Sequence, residues 1–183
     1  MERSRPLDAS GKLSGIGKLT HEQLRRRYRP KPVRVLFVGE SPPASGRFFY
    51  AADSGLFRAM RQAFQAVDPA VGAEEFLKVF QTYGCYLVDL CPEPVDRMSP
   101  ALRRAACRAG EASLGKSIAQ MRPEVIVTLL RSIEKHCASA MARAKWQGQA
   151  IHLPYPGRWK RLRAEFVESL SPVIRNLGRP PAP

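Results

Sequence analysis

The segment VRVLFVGESPPASGRFFYAADSG, residues 33–55, decides the fold. It begins with a run of Val, Leu and Phe that ends at Gly39, which is typical of a buried β-strand. A carboxylate (Glu40), three consecutive aromatic residues (48–50) and a second carboxylate (Asp53) follow within fourteen residues of that glycine. The pattern predicts a strand-to-helix connection whose side chains can also hold a flat ligand.

Three other segments have the apolar character of strands, namely 85–90, 124–130 and, more weakly, 149–154. Helical periodicity separates or follows the strands. It covers residues 20–29, 55–64, 74–84, 99–121, 131–144 and 160–177. Strands that alternate with helices predict right-handed crossovers and a parallel sheet with helices on both faces.

Local signals support several of these boundaries. Thr20 and Gln23 fit a capping box, and Ser99 followed by Pro100 fits the start of a long helix. We expect three parts: a flexible basic N-terminal arm (1–19), one domain (20–178) and a disordered tail (179–183). The arginines at 25–27 and 29 form either a solvated helix face or a phosphate contact.

The composition favours a nucleic-acid partner. The 183 residues carry a formal net charge of +14, from 30 Lys and Arg against 16 Asp and Glu. Such an excess attracts polyanions, of which nucleic acid is the commonest; the alternatives are solubility or a general bias toward Arg. No apolar run reaches the roughly 18 residues that cross a bilayer, and no signal-peptide core is visible. We therefore expect a cytoplasmic monomer without a membrane partner.

The cysteines do not suggest a metal or iron–sulfur site, because none of them forms a CxxC pair. We predict buried free thiols and no cofactor or metal. The four residues concerned are Cys85, Cys91, Cys107 and Cys137.

In open parallel α/β sheets, ligands bind beyond the carboxyl ends of the strands. In the first loop there, aromatic rings beside Glu40 and Asp53 suit a flat heterocycle. Two other roles stay open: the rings at 48–50 can belong to the core, and Asp53 can cap the helix at Gly55. Asp89 ends the second strand, where a carboxylate is costly unless paired, with Arg97 or a turn amide as the simplest partner.

The fourth loop combines prolines with basic and aromatic side chains. Lys and Arg side chains bind phosphates, and Tyr155 or Trp159 can insert between stacked bases as a wedge. We predict DNA contacts from Pro154, Tyr155, Gly157, Arg158, Trp159, Lys160 and Arg161.

Five segments, taken in order, resemble the uracil-DNA glycosylase superfamily: VLFVGESPP, FFYAADSG, CYLVDLCPEPVDR, RPEVIVTL and LPYPGR. The resemblance extends from Val33 to about Phe166 and is closest to a branch without an iron–sulfur cluster. It implies a three-layer α/β/α sandwich with a central four-stranded parallel sheet. It also implies metal-free hydrolysis of the bond between a flipped-out base and deoxyribose.

The resemblance assigns roles to individual residues. Asp53 matches a catalytic aspartate, with Glu40 as its substitute, and His152 lies near the position of the family's late histidine. The base would be bound by the loop backbone and by one aromatic ring, while Asp89 stands where the family reads the pyrimidine edge with asparagine. The residues implied in base binding are Gly39, Ser41, Phe49, Tyr50 and Asp89.

Three departures qualify these roles. Ser41 stands where some branches carry the residue that activates water, and Leu153 stands where they carry histidine. His152, one step earlier on a strand, would face the opposite side. The Asp89 carboxylate can accept a hydrogen bond from a ring N–H but cannot donate one to a base carbonyl. The enzyme should therefore also accept bases other than uracil, such as hypoxanthine.

The sequence thus predicts a DNA repair glycosylase that removes uracil from single- or double-stranded DNA by base flipping. A non-catalytic nucleic-acid-binding protein of the same fold is the first alternative, because two usual catalytic positions are changed. A small-molecule enzyme acting on nucleotides is the second. It is disfavoured because the first loop has neither GxGxxG nor GxxxxGK[ST].

Overall fold

The computed structural model describes residues 19–157 and 159–178. The predicted N-terminal arm (1–19), apart from its last residue, and the predicted tail (179–183) lie outside the described residues, as does Arg158. The elements are α1 (His21–Arg27), β1 (Val35–Gly39), a first 3-10 turn (Phe49–Ala51), α2 (Gly55–Gln65), α3 (Phe76–Thr82), β2 (Cys85–Asp89), α4 (Pro100–Met121), β3 (Val125–Thr128), a second 3-10 turn (Arg131–Ile133), α5 (Glu134–Arg143), β4 (Gln149–His152) and α6 (Lys160–Leu177).

The four strands form one sheet in the order β2-β1-β3-β4, and every neighbouring pair is parallel. Helix α4 packs against α5, and α2 packs against α6. This arrangement confirms the predicted three-layer α/β/α sandwich with a central four-stranded parallel sheet. The strand order reverses direction between β1 and β3, and in this fold class such a switch point opens a crevice for a ligand.

The central strand β1 is buried along its whole length, because sheet neighbours and helices cover it on every side. Strand β4 lies at an edge and begins with the exposed pair Gln149 and Ala150. A cluster of phenylalanine rings in edge or tilted contact fills the core beside β1 and β2. Its members are Phe37, Phe49, Phe57, Phe64, Phe76 and Phe80.

The caps at two helices are as predicted. The capping box of Thr20 and Gln23 is present at α1, and Ser99 caps α4 with Pro100 in the first turn. At α2 the alternative role considered for Asp53 is wrong, because the Ser54 hydroxyl, not Asp53, accepts the Phe57 N–H.

All four cysteines are buried and free, as predicted. The sulfur atoms of Cys91 and Cys107 lie 3.7 Å apart. Over residues 19–157 and 159–178, we find no helix with the length and apolarity that a membrane span requires.

Candidate functional site

A cavity of about 280 Å³ opens at the carboxyl edge of the sheet, next to the switch point between β1 and β3. All four loops that leave this edge contribute to it. Its lining comprises Gly39, Glu40, Ser41, Pro42, Pro43, Arg47, Phe48, Phe49, Ser54, Leu56, Leu87, Asp89, Asp96, Leu130 and Tyr155. The cavity is therefore the place where the chain brings carboxylates, aromatic rings and backbone amides together.

The loop after β1 is fixed to the loop after β2 by continuing hydrogen bonds. The carbonyl oxygens of Gly39 and Glu40 accept the N–H groups of Leu90 and Cys91 at 2.9 and 2.8 Å. The Ser41 hydroxyl accepts the Val95 N–H at 3.2 Å. These bonds hold the start of the loop rigidly against the cavity.

Glu40 is a buried carboxylate in the cavity wall, with 8% of its surface exposed. Arg103, from the first turns of α4, donates Nε to Glu40 Oε1 at 2.7 Å and Nη2 to Oε2. The hydrogen bond to Glu40 in turn raises the pKa of Arg103. A guanidinium that binds both oxygens pairs strongly with a carboxylate, so Glu40 and Arg103 form an ion pair at the cavity wall.

Two of the three consecutive aromatic residues face the cavity. Phe48 and Phe49 line it, and Phe49 also belongs to the buried cluster through Phe57 and Phe80. Because Phe49 is both wall and core, its ring is held in place before any ligand enters.

Tyr50 does not line the cavity, in contrast to the predicted stacking role. Its hydroxyl donates to the Leu87 carbonyl at 3.1 Å and accepts the Leu87 N–H at 2.7 Å. Burial raises the pKa of this phenol well above its ordinary value. The 3-10 turn directs Tyr50 onto β2. Of the two rings predicted to bind the base, only Phe49 therefore borders the cavity.

Asp53 also lies outside the cavity lining, although the sequence predicted it as the catalytic aspartate. Its Oδ1 accepts the Phe48 N–H at 2.7 Å, which closes the turn that carries the aromatic residues. The residue is exposed. Its position supports a structural role in the loop, and the geometry gives no support to the predicted catalytic role.

Asp89, at the end of β2, lines the cavity with only 8% of its side chain exposed. Its partner is Arg25 of α1, whose Nη2 lies 2.7 Å from Oδ2; the expected partner Arg97 was wrong. Burial raises the pKa of Asp89 to about 6, and the Arg25 guanidinium opposes that rise. Arg25 is thus an internal ion-pair partner and not part of a fully solvated arginine face.

Asp89 also borders a larger groove of about 620 Å³ on its other side, between α1 and α4. Small side chains of α4 form part of that groove, including Ala106, Ala109 and Gly110. We take the smaller cavity as the candidate site, because it lies at the switch point and contains the converging loops and aromatic rings.

Sequence reasoning missed three polar residues in the lining. Asp96 accepts the Ala44 N–H at 3.3 Å with each carboxylate oxygen, which joins the loop after β2 to the loop after β1. Arg47 is exposed at the rim, and Ser54 is buried while it caps α2. No local sequence pattern marks these three positions as part of a site.

The loop after β4 borders the cavity through Tyr155, which is 42% exposed. Burial of the phenol, and secondarily the charge of Asp89, raise the pKa of Tyr155. Trp159 is 68% exposed and precedes α6 directly. The other described residues predicted to bind DNA lie near this loop: Pro154 and Gly157 are partly exposed, and Lys160 and Arg161 are exposed in the first turn of α6.

His152 ends β4 opposite Thr128 and is not part of the cavity lining. Its Nδ1 is buried and, within the described residues, has no hydrogen-bond partner. The next residue, Leu153, is buried in the core. The predicted catalytic role of His152 is therefore not supported by its position, as the step of one residue on a strand suggested.

The described residues contain no group of three or more His, Cys, Asp or Glu side chains that could hold a metal ion. Of the predicted catalytic and base-binding residues, the structure brings five together in the cavity and leaves three outside. The five are Gly39, Glu40, Ser41, Phe49 and Asp89, and the three are Tyr50, Asp53 and His152.

Comparison with known protein families agrees with the resemblance seen in the sequence. A family model described as the uracil DNA glycosylase superfamily matches residues 26–178. No curated protein matches the chain. The matched range contains all four strands and every residue that lines the cavity. The chain therefore belongs to the uracil DNA glycosylase superfamily.

Proposed function

We propose that this protein is a DNA glycosylase that hydrolyses the N-glycosidic bond of uracil in DNA, and of other deaminated bases such as hypoxanthine. The observation that carries the proposal is the cavity of about 280 Å³, where rings at 48–49 and the carboxylates Glu40 and Asp89 meet. This volume lies at the small end of ligand pockets, which suits one heterocycle and not a stretch of paired DNA. The base must therefore leave the stack to reach the cavity.

Flipping the nucleotide costs a few kcal/mol and is cheapest at mispaired or single-stranded positions. In the proposed complex, the base enters beside Phe48 and Phe49, which border the cavity although both rings are nearly buried. Asp89 accepts a ring N–H of the base. Uracil and hypoxanthine both carry such an N–H next to a carbonyl group.

The proposed reaction separates charge between sugar and base. When the bond between C1′ and the base nitrogen breaks, its electron pair leaves with the base and C1′ becomes positive. The Glu40 carboxylate, held by Arg103, stabilises that positive charge and orients a water molecule. The water oxygen then bonds to C1′, the proton that it loses passes through solvent to the departing base anion, and the products are the neutral base and an abasic sugar.

The remaining surface suits the DNA backbone. Lys160 and Arg161 are exposed in the first turn of α6, a few residues after Tyr155, which lines the cavity. Cationic side chains near phosphates supply affinity without sequence preference. The net charge of +14 supports the same partner.

One observation favours the alternative, a non-catalytic protein that only binds nucleic acid. The polar groups at the start of the first loop are already occupied: Ser41 by the Val95 N–H and Glu40 by Arg103. Neither residue is a free general base. The glycosylase remains our proposal because cleavage through a positive sugar needs an anion and an oriented water more than a strong base.

Base release from labelled oligonucleotides tests the proposal. The protein should convert uracil sites, in single- or double-stranded DNA, to abasic sites that alkali cleaves, and a chelator should make no difference. Oligonucleotides that carry hypoxanthine or only unmodified bases then define which bases the protein removes. Tight DNA binding without any product on the whole panel would instead establish the non-catalytic alternative.

A further inference from the structure

Helix α1 contacts the candidate site although it precedes the sheet and contains no fully buried residue. The His21 ring stacks on Phe48, with centroids 4.2 Å apart, and the Arg25 guanidinium lies 5.4 Å from the centre of the same ring. Arg25 also binds Asp89. One short helix thus touches both the aromatic wall and the carboxylate of the cavity.

The ion pair occupies one side of the carboxylate only. Arg25 Nη2 binds Oδ2, while Nη1 binds Glu22 at 3.2 Å and holds the guanidinium on α1. Asp89 Oδ1 lies against Gly39, where an added Cβ would come within 2.8 Å of it. Within the described part of the chain, no donor is bound to Oδ1.

We propose that Arg25 is a specificity-determining positioning residue: by binding Oδ2 of Asp89, it holds Oδ1 as the single acceptor for a ring N–H of the base. This inference rests on the proposed function of the same cavity. Position 25 precedes the range 26–178 that matches the family model.

The orientation matters because a carboxylate without a partner can rotate and can also take up a proton. Arg25 lowers the pKa of Asp89 against the effect of burial. Its removal therefore raises that pKa further, and a protonated Asp89 presents an O–H where the charged form only accepts. The titratable groups that act with Asp89 are Arg25 from α1, Tyr50 from the first 3-10 turn, Cys91 from the loop after β2 and Tyr155 from the loop after β4.

The test measures base discrimination by binding, so that it does not depend on turnover. Oligonucleotides carry one 2′-fluoro-2′-deoxyuridine, which resists cleavage, or the same nucleotide methylated at N3, which lacks the ring N–H. The wild type should prefer the unmethylated base. Arg25→Gln should reduce that preference roughly tenfold, the value of a hydrogen bond to a charged group.

Two further variants provide the controls. Arg25→Lys keeps the charge and should retain part of the preference. Arg26→Gln should keep all of it, because Arg26 is an exposed α1 neighbour that also binds Glu22 but does not reach Asp89. The preference of the wild type should be lost as the pH drops below about 6, the pKa of Asp89. In Arg25→Gln the midpoint of this loss should lie at higher pH. Melting temperature and affinity for undamaged DNA show whether each variant is folded.

A folded Arg25→Gln protein with the wild-type preference and pH midpoint would overturn the proposal, as would a wild type without any preference. If the wild type releases no uracil from ordinary substrate while Arg25→Gln still loses the preference, the glycosylase proposal fails and the role of Arg25 stands. If uracil is released but Arg25→Gln keeps the wild-type preference, the glycosylase proposal stands and the role of Arg25 fails.

Discussion

The ends of β1 and β2 and the loop after β4 border the same cavity but are built differently. At β1 and β2, Glu40 and Asp89 are nearly buried, and each is bound by an arginine from a distant helix. After β4, Tyr155 and Trp159 are exposed, and no described ion pair fixes Lys160 or Arg161.

The difference follows from what covers the end of each strand, because β2 and β4 are both edge strands. Strand β1 is central, and β2 packs against α3 while Arg25 of α1 binds Asp89 at its end, so the polar groups at the ends of both strands are desolvated and must be paired. After β4, the side chains of Tyr155 and Trp159 remain solvated and free to meet a large partner. The sheet thus separates a buried set of residues in the cavity from the exposed surface that we propose binds the DNA backbone.

The largest expected effect is on stability and tests whether the cavity wall is also core. Phe49→Ala should lower the free energy of unfolding by about 3–5 kcal/mol, since it removes a buried ring from the phenylalanine cluster. Trp159→Ala should change it by less than about 0.5 kcal/mol because that side chain is exposed. Urea denaturation measures both, and equal losses would contradict the separation.

The second prediction compares two carboxylates of the first loop. Under the proposed function, Glu40→Gln should lower the single-turnover rate of uracil release by about 10²–10³-fold, because the anion beside the sugar is lost. Asp53→Asn should stay within roughly threefold, as expected for an exposed residue outside the cavity. A slow Asp53→Asn with a normal Glu40→Gln would restore Asp53 as the catalytic carboxylate.

The third prediction compares two tyrosine hydroxyls. Tyr50→Phe should cost roughly 1–3 kcal/mol of stability, because the Leu87 N–H and carbonyl lose their buried partner. Tyr155→Phe should cost less than about 0.5 kcal/mol, since solvent reaches that side chain. Thermal and urea unfolding of both variants checks the contrast, and a stable Tyr50→Phe would mean that the hydrogen bonds to β2 add little.

The smallest expected effect concerns DNA affinity. Lys160→Gln should weaken binding a few-fold at moderate salt and reduce the slope of log affinity against log salt by about 0.9, the value for one phosphate contact. Arg175→Gln, at the opposite end of α6, serves as the matched control and should leave the slope unchanged. Equal slopes for both variants would place the DNA away from the loop after β4.

The sequence predicted the sheet well because strand identity depends on local apolar runs and their spacing. The predicted strands at 33–39 and 85–90 correspond to Val35–Gly39 and Cys85–Asp89. The cavity-lining residues Glu40 and Asp89 were also found, since both follow directly from strand ends. The partners Arg25 and Arg103 were missed, because 64 and 63 residues separate each arginine from its carboxylate.

The sequence alone determined the parallel α/β architecture, the caps of α1 and α4 and the edge of the sheet at which the candidate cavity opens. These features depend on hydrophobic periodicity and on hydrogen bonds between residues close in the chain. Only the tertiary structure decided which neighbours face the cavity, namely Phe49 and not Tyr50, and Glu40 and not Asp53. That choice depends on the direction of each side chain from a short turn and on long-range ion pairs, which no local pattern encodes.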